Sequence, residues 1–456
     1  MKSLALSVRF LYGILGGVFI LCSLLLFSFF RRDDSSLSCK DCNIIFIEID
    51  PLRADALKST GGMREAPTLD ALAKRGYTFT NAVAASSWTL PSAMSLMTGV
   101  YPSRHGIINK ELLRDSPNKE IIPASLQVTA PHITPLVTLF RSHGYATGGF
   151  AGGAALDPSY GFADGFDVYE SPGDFEDIAS SSAKAIDFIR KNKNKKIFVF
   201  LHGFDVHGQY MPPQGLDKRF VSSSYKGSLI GNTVEQKELR EQGVRQGSVY
   251  ITDDDAMFLR AIYDEKVSLM DARIGEFLAA YHALGLEQKT VIVFSSHHGE
   301  EFYEHGRIDH GMTLYDEVLR VPLIVVLPGG AKGKRIDRQV RNVDILPTIL
   351  DIVGIPIPAR MAELIDGVSV VPLMRGKELK LDAISETSYR YATFQTSLRG
   401  ENGWKIIYDR EQQVKKLYHY AVDPGEVNDR YGQNEPAEQS LVNRILQHIN
   451  GVAVKR

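Results

Sequence analysis

Cysteine is scarce: three occur in 456 residues, too few for a disulfide-stapled scaffold. Charge of one sign is missing as well, since 52 Lys and Arg stand against 54 Asp and Glu for a net charge of −2. That balance gives no polycationic face and excludes nucleic acid as a partner. There are no internal repeats and no low-complexity tracts. The glycine-rich stretch 148–165 lacks a Walker lysine or a dinucleotide pattern, so it reads as loop rather than as a phosphate cradle. What remains is an ordinary globular balance, 44% hydrophobic and 23% charged, with ample material for a large core.

Long hydrophobic runs are also lacking, with one exception. Residues 10–30 carry no charge, and about 20 apolar residues suffice to span a bilayer as a helix. Lys2 and Arg9 precede the run and Arg31 and Arg32 follow it, so the basic count does not fix its orientation. The run is long for a signal peptide, and Arg-Arg-Asp-Asp after it is a poor cleavage region, so an uncleaved anchor is expected. Cys39 and Cys42 follow. A redox motif should open a helix, yet an apolar strand comes next, so a small local disulfide in an oxidising compartment is expected.

Three short apolar runs then end in Asp or His. Residues 43–50 close on Asp50, and Glu48 points to the same side if the strand is regular. Residues 197–201 are followed by His202, Asp205 and His207, and residues 290–294 by His297 and His298. Such runs suit parallel strands covered on both faces, and open α/β sheets bind ligands at the carboxyl ends of their strands. Between them, residues 66–76, 133–144, 178–190 and 258–284 have helical spacing, whereas 217–257 is polar and patternless and reads as an excursion that shapes access.

Thr89 stands two residues before Pro91, in a run that closes at Gly99, which places a short helix between them. Thr89 then sits at a helix N-terminus, where free N–H groups and the dipole favour negative charge. A Thr there serves as an N-cap, or as a nucleophile toward a tetrahedral anionic ester.

The run from Thr89 to Gly99, followed by Tyr101-Pro102 and His105-Gly106, resembles the nucleophile segment of the sulfatases. These belong to the alkaline-phosphatase superfamily, with phosphonate and phosphodiester hydrolases, phosphoethanolamine transferases and lipoteichoic-acid synthases. The sulfatase pattern is Cys/Ser-x-Pro-Ser-Arg, with the first residue oxidised to formylglycine. Here Thr89 holds that place and Ala93 replaces the Arg, so no formylglycine is expected. The segment Asp50-Pro51-Leu52-Arg53 resembles the family's first metal-binding segment, with Pro51 where a second Asp is common. Ser295-Ser296-His297-His298-Gly299 resembles Ser-Asp-His-Gly, with His297 in place of the Asp. The loop Asp205-Val206-His207 and the pair His310-Gly311 resemble substrate-contacting segments, and the likeness continues to about residue 431.

The resemblance implies an α/β fold, with a mixed, mostly parallel sheet sandwiched by helices and a small C-terminal antiparallel subdomain. It divides the chain into a cytoplasmic tail at 1–9, the anchor at 10–30, a linker at 31–42, a catalytic domain at 43–375 and the subdomain at 376–456. The folded part is then expected in the periplasm or outside the cell, held by a single-pass anchor. The implied activity is metal-dependent hydrolysis of sulfate or phosphate esters, glycan and lipid esters among them. Thr89, His207 and His310 are the catalytic candidates, and His202, Asp205 and Arg53 the substrate-binding ones. Asp50, Thr89, His297 and His298 are expected to hold a divalent ion. Calcium suits oxygen-rich sites, while imidazole in place of carboxylate shifts the preference to zinc or manganese. Transfer of a phospho-headgroup to a lipid or glycan, and an inactive anion-binding protein, are the alternatives.

Overall fold

The run at 43–50 forms β1 (Asn43–Ile49), buried along its whole length as a strand covered on both faces must be. A computed structural model describes residues 37–113, 121–123, 133–208, 219–331 and 333–453. The expected anchor at 10–30 lies outside the described residues, and among those described no helix is long and apolar enough to cross a membrane. Cys39 and Cys42 are joined as a disulfide.

The companions of β1 are β2 (Tyr77–Val83), β3 (Ala146–Phe150), β4 (Val168–Glu170), β5 (Ile197–Gly203), β6 (Thr290–Ser295), β7 (Arg320–Val326), β8 (Lys334–Ile336) and β9 (Val340–Arg341). They form a nine-stranded sheet in the order β8-β2-β7-β6-β1-β5-β3-β4, with β9 paired to β2. Strand β7 runs antiparallel to β2 and β6, and every other pairing is parallel. This is the mixed, mostly parallel sheet that the resemblance implies.

The helices are α1 (Pro67–Arg75), α2 (Thr89–Thr98), α3 (Ile178–Asn192), α4 (Thr233–Gln246), α5 (Asp253–His282), α6 (Ile345–Val353) and α7 (Glu438–Ala453), besides shorter turns. Alternation along β1 sends Ile45, Ile47 and Ile49 into a core shared with Leu69 of α1, Ile189 of α3 and Met270 of α5. Phe46 faces the other side, where its ring meets Phe200 at 5.6 Å. Each such side chain contributes roughly 1.5–3 kcal/mol by its burial.

Two expectations need correction. The stretch 217–257 holds α4, whose Asn232 cap accepts from Glu235 N at 2.9 Å, and the start of α5, where Thr252 and Asp255 form a capping box. Its periodicity was hidden because α4 has little apolar surface to bury. The glycine-rich stretch begins inside β3 instead of in a loop. A Cβ on Gly148 or Gly149 would come within 2.9 Å of the Phe188 ring or 2.5 Å of the Tyr169 ring, so glycine there admits close packing.

A second, antiparallel sheet contains β10 (Ala383–Thr387), β11 (Gln395–Arg399), β12 (Lys405–Asp409) and β13 (Val414–Tyr418), in sequence order. Leu398, Ile406 and Leu417 pack against Leu441 and Ile445 of α7. The sheet is sewn to the main body by Glu386 N donating to Ala85 O at 2.9 Å and Ser385 Oγ donating to Ala84 O at 2.6 Å. Buried charge joins the two bodies as well. Lys405 Nζ lies 2.9 Å from Asp316 Oδ1 and 2.9 Å from Glu426 Oε1, and Arg399 Nη2 lies 3.1 Å from Asp316 Oδ2.

Candidate active site

Register between the central strands builds the floor. Glu48 of β1 stands opposite His202 of β5 and Ser295 of β6, so all three chains leave the sheet at one edge, with Asp50 and His297 two residues on. His297 Nε2 lies 3.2 Å from Asp50 Oδ2, and His298 Nε2 lies 3.2 Å from Asp50 Oδ1. Backbone bonds lock the arrangement, with Asp50 N donating to Gly203 O at 3.0 Å and Leu52 N to His298 O at 3.1 Å.

Thr89 is the first residue of α2. Its hydroxyl donates to Asp50 Oδ2 at 3.0 Å and sits 3.3 Å from His298 Nε2. The N-cap is Trp88, so the Thr89 hydroxyl does not serve as the cap and is directed to the floor by these two contacts. Ser92 Oγ, one turn further along α2, donates to His297 O at 2.6 Å, and Asn342 Nδ2 donates to Ser92 Oγ at 3.0 Å. The helix start is therefore pinned to the strand end it serves.

The donor set fits a small divalent cation. Spacings of 3.0 to 3.3 Å among these oxygen and nitrogen atoms approach the ~3.3 Å edge of a tetrahedron with ligands at about 2.0 Å. The second nitrogen of His298 is tied off by a hydrogen bond, and that of His297 faces a carboxylate. His298 Nδ1 donates to Gly299 O at 2.8 Å, and His297 Nδ1 faces Glu48 Oε1 at 2.9 Å. That is how ligating imidazoles are oriented, and it turns both Nε2 atoms to one point. Burial opposes the charge of Asp50, yet His297 and His298 hold its carboxyl well below the usual carboxylate range. Burial would lower His297, but Asp50 and Glu48 raise it to about 10, while burial pushes His298 down to about 4.

Above the floor, the His310 ring lies 4.4 Å from that of His298 and 5.1 Å from that of His207. His310 Nδ1 is 2.9 Å from both Glu300 Oε1 and Asp309 Oδ1. Burial opposes its charge, but Asp309 and Glu300 hold it well above the usual imidazole range. Burial, with cationic His310 beside it, pushes His207 down to about 3. The two rings are thus driven to opposite protonation states, His310 charged and His207 neutral. Thr89, His207 and His310 line one pocket of about 540 Å³ with Trp88, Tyr389, Lys110 and Arg240.

Six of the nine sequence candidates meet directly on this floor and pocket: Asp50, Thr89, His207, His297, His298 and His310. The other three stand apart. Asp205 turns away, accepting from Ile178 N at 2.7 Å and Arg273 Nη1 at 2.9 Å, which fixes the start of α3. Arg53 is spent on Asp55 at 2.7 Å, on Glu304 and on Glu300 O at 2.9 Å, and does not line the pocket. His202 sits under Asp50 at 3.9 Å, and its Nδ1 accepts from Gly152 N, so the neutral ring carries its proton on Nε2. At 3.9 Å from Asp50 that Nε2 makes no hydrogen bond, and the ring does not line the pocket.

Sequence reasoning missed the pocket's upper wall. Lys237 and Arg240 come from α4, Lys110 from the segment after Asn109, and Tyr389 and Arg390 from the C-terminal part. No spacing joins those segments, and only the fold brings them together. Glu48 carried a signal in its strand parity with Asp50, and its partner is His297.

The comparisons agree with this architecture. The Sulfatase family model matches residues 42–355, and the model described as N-sulphoglucosamine sulphohydrolase, C-terminal, matches residues 303–455. Arylsulfatase K of Rattus norvegicus is 27% identical over 295 residues, covering 59% of this chain and 51% of the rat protein, so the chain spans about half the length of that relative. An ulvan-active sulfatase of Formosa agariphila is 27% identical over 466 residues, covering 91% of this chain and 84% of its own. The crystal structure of a phosphonate monoester hydrolase of Agrobacterium radiobacter superposes with a TM-score of 0.66 at 17% identity, over 91% of this chain and 96% of that one. That last likeness is one of fold.

Proposed function

The chain belongs to the sulfatase family, and on that premise we propose that it is a metal-assisted hydrolase of sulfuric or phosphoric esters whose attacking atom is Thr89 Oγ. The observation that carries this reading is the threonine hydroxyl at the start of α2, 3.0 Å from Asp50 and 3.3 Å from His298. A divalent cation held by Asp50, His297, His298 and Thr89 would lower the pKa of the hydroxyl, and two imidazoles in the set suit zinc or manganese better than calcium.

Asp50 Oδ2 accepts the hydroxyl proton, which frees an Oγ lone pair for in-line attack on sulfur or phosphorus. The bond from Oγ forms as the bond to the leaving oxygen breaks, and His310 gives that oxygen a proton. Glu300 and Asp309 hold His310 toward the ester, and the α2 N-terminus faces charge on the non-bridging oxygens. In the second half-reaction His207 takes a proton from water, whose oxygen attacks the same centre. Thr89 Oγ departs and recovers its proton from Asp50, and solvent exchange resets the two histidines.

The names of the relatives support sulfate esters, and the ulvan-active sulfatase supports a glycan among the substrates. The disulfide at Cys39 and Cys42 suits an oxidising compartment, as expected for a domain held outside the cytoplasm by the run at 10–30. The test is turnover of 4-nitrophenyl sulfate, bis(4-nitrophenyl) phosphate and a phosphonate monoester by wild type and Thr89→Ala. We expect a loss of about 10⁴-fold in the variant, with the phosphodiester favoured over the sulfate in wild type because formylglycine is unavailable. Equal rates for the two proteins on all three esters would refute the nucleophile and leave an anion-binding protein.

A further inference from the structure

The rim of the pocket carries more positive charge than one ester needs. We propose that Lys110, Lys237, Arg240 and Arg390 form a second anion subsite, so that the preferred substrate bears another sulfate, phosphate or carboxylate group beside the ester that is cleaved. The inference rests on the reading of the floor as an ester site and adds to it the class of molecule that site takes.

Four lysine and arginine side chains line this pocket with one carboxylate, Asp309, which is shared with His310. Arg240 Nη1 lies 3.6 Å from Asp309 and its Nη2 3.5 Å from Glu241, the same Glu241 that Arg390 Nη1 holds at 2.9 Å. Two carboxylates thus serve the two arginines. Among the described residues, neither Lys110 nor Lys237 has an ion-pair partner, and buried Arg240 Nε has no hydrogen-bond acceptor. The excess is local, because the whole chain carries a net charge of −2. Uncompensated positive charge at the mouth of a cleft concentrates anions there.

The rim is also assembled for the purpose. Lys237 and Arg240 lie on α4, Lys110 follows Asn109, and Arg390 belongs to the turn Tyr389–Tyr391 of the C-terminal part. Arg390 and Tyr391 take φ of 50° and 55°, a left-handed backbone that costs a non-glycine residue and collects at binding sites. A volume of about 540 Å³ falls among pockets that enclose whole ligands, with room for the ester and its neighbouring group. Trp88 and Tyr389, packed edge to face with ring centroids 5.2 Å apart, add an aromatic corner to the pocket.

The experiment reads binding separately from turnover. In a Thr89→Ala background, affinities for inositol hexasulfate and for inorganic sulfate are measured by calorimetry at low and high salt. Adding Lys110→Gln with Lys237→Gln should lower the affinity ratio of hexasulfate over sulfate by about tenfold at low salt, with the difference shrinking as salt screens it. Arg390→Gln, made separately, should act in the same direction, while Lys58→Gln, a surface lysine paired with Glu65, should not change the ratio. A melting curve on each variant confirms that it is folded. A ratio changed by less than about threefold in both rim variants overturns the proposal. Retained hydrolysis by Thr89→Ala would refute the floor's mechanism, and the calorimetric ratio would still decide the rim.

Discussion

Lys405 and Asp50 are both 0% exposed, yet the charges around them are arranged differently. Around Lys405 the circuit of charge is closed, although Glu426 Oε1 lacks a full hydrogen bond: Asp316 and Glu426 flank the lysine at 2.9 Å, and Arg399 covers the remaining charge of Asp316. Around Asp50 it is open. Oδ1 of Asp50 and both nitrogens of His297 lack full hydrogen bonds, and the Thr89 hydroxyl points into the same space. Leaving buried polar atoms unmet costs free energy, so a fold keeps them only where something else completes them. The first cluster joins two sheets, and the second is shaped to receive a ligand.

Three experiments probe that contrast. Removing divalent ions with a chelator should cut ester turnover by about 10³-fold, restored by zinc or manganese, because the open cluster lacks its cation. Metal analysis of protein purified without tag chelation checks the same point, and full activity with no stoichiometric ion would erase the distinction. Lys405→Met attacks the closed cluster instead. It strands Glu426, leaves Asp316 with Arg399 alone, and should cost about 3–5 kcal/mol in denaturant unfolding, with turnover per folded molecule far less affected than by chelation.

The smallest effect concerns a third buried polar group with no charged partner. His105 bonds to Ser95 Oγ at 3.0 Å and accepts from Ile107 N at 3.1 Å, and burial pushes it down to about 4. Its folded value lies below the usual unfolded one of about 6.5, so its stabilisation is complete above pH 6.5. That contribution is lost as pH falls toward 4, amounting to roughly 3 kcal/mol. His105→Gln should flatten the stability profile across that window. An unchanged slope would mean that acid acts elsewhere.

What sequence could reveal follows from this geometry. Asp50, His297 and His298 stand just beyond strands written as apolar runs, so strand ends announced them, and Thr89 was marked by the proline in the first turn of α2 and the glycine that ends it. Asp205 misled because a carboxylate after a strand looks alike whether it faces a pocket or, as here, holds Ile178 N and Arg273. Arg53 misled similarly, since beside its local pair with Asp55 it is held by Glu304, 251 residues further along the chain. The basic rim was illegible: α4 has no apolar stripe, and Lys110 and Arg390 meet it only through long-range folding.

The turn that presents Tyr389 and Arg390 carries a last implication for how the molecule comes into being. Translation delivers β1, α2 and β6 well before that turn, and domains generally consolidate as they emerge. A nascent chain therefore holds Thr89 and Asp50 early but acquires one wall of the cleft only when the late-made sheet docks. The cleft is complete only when synthesis is nearly done.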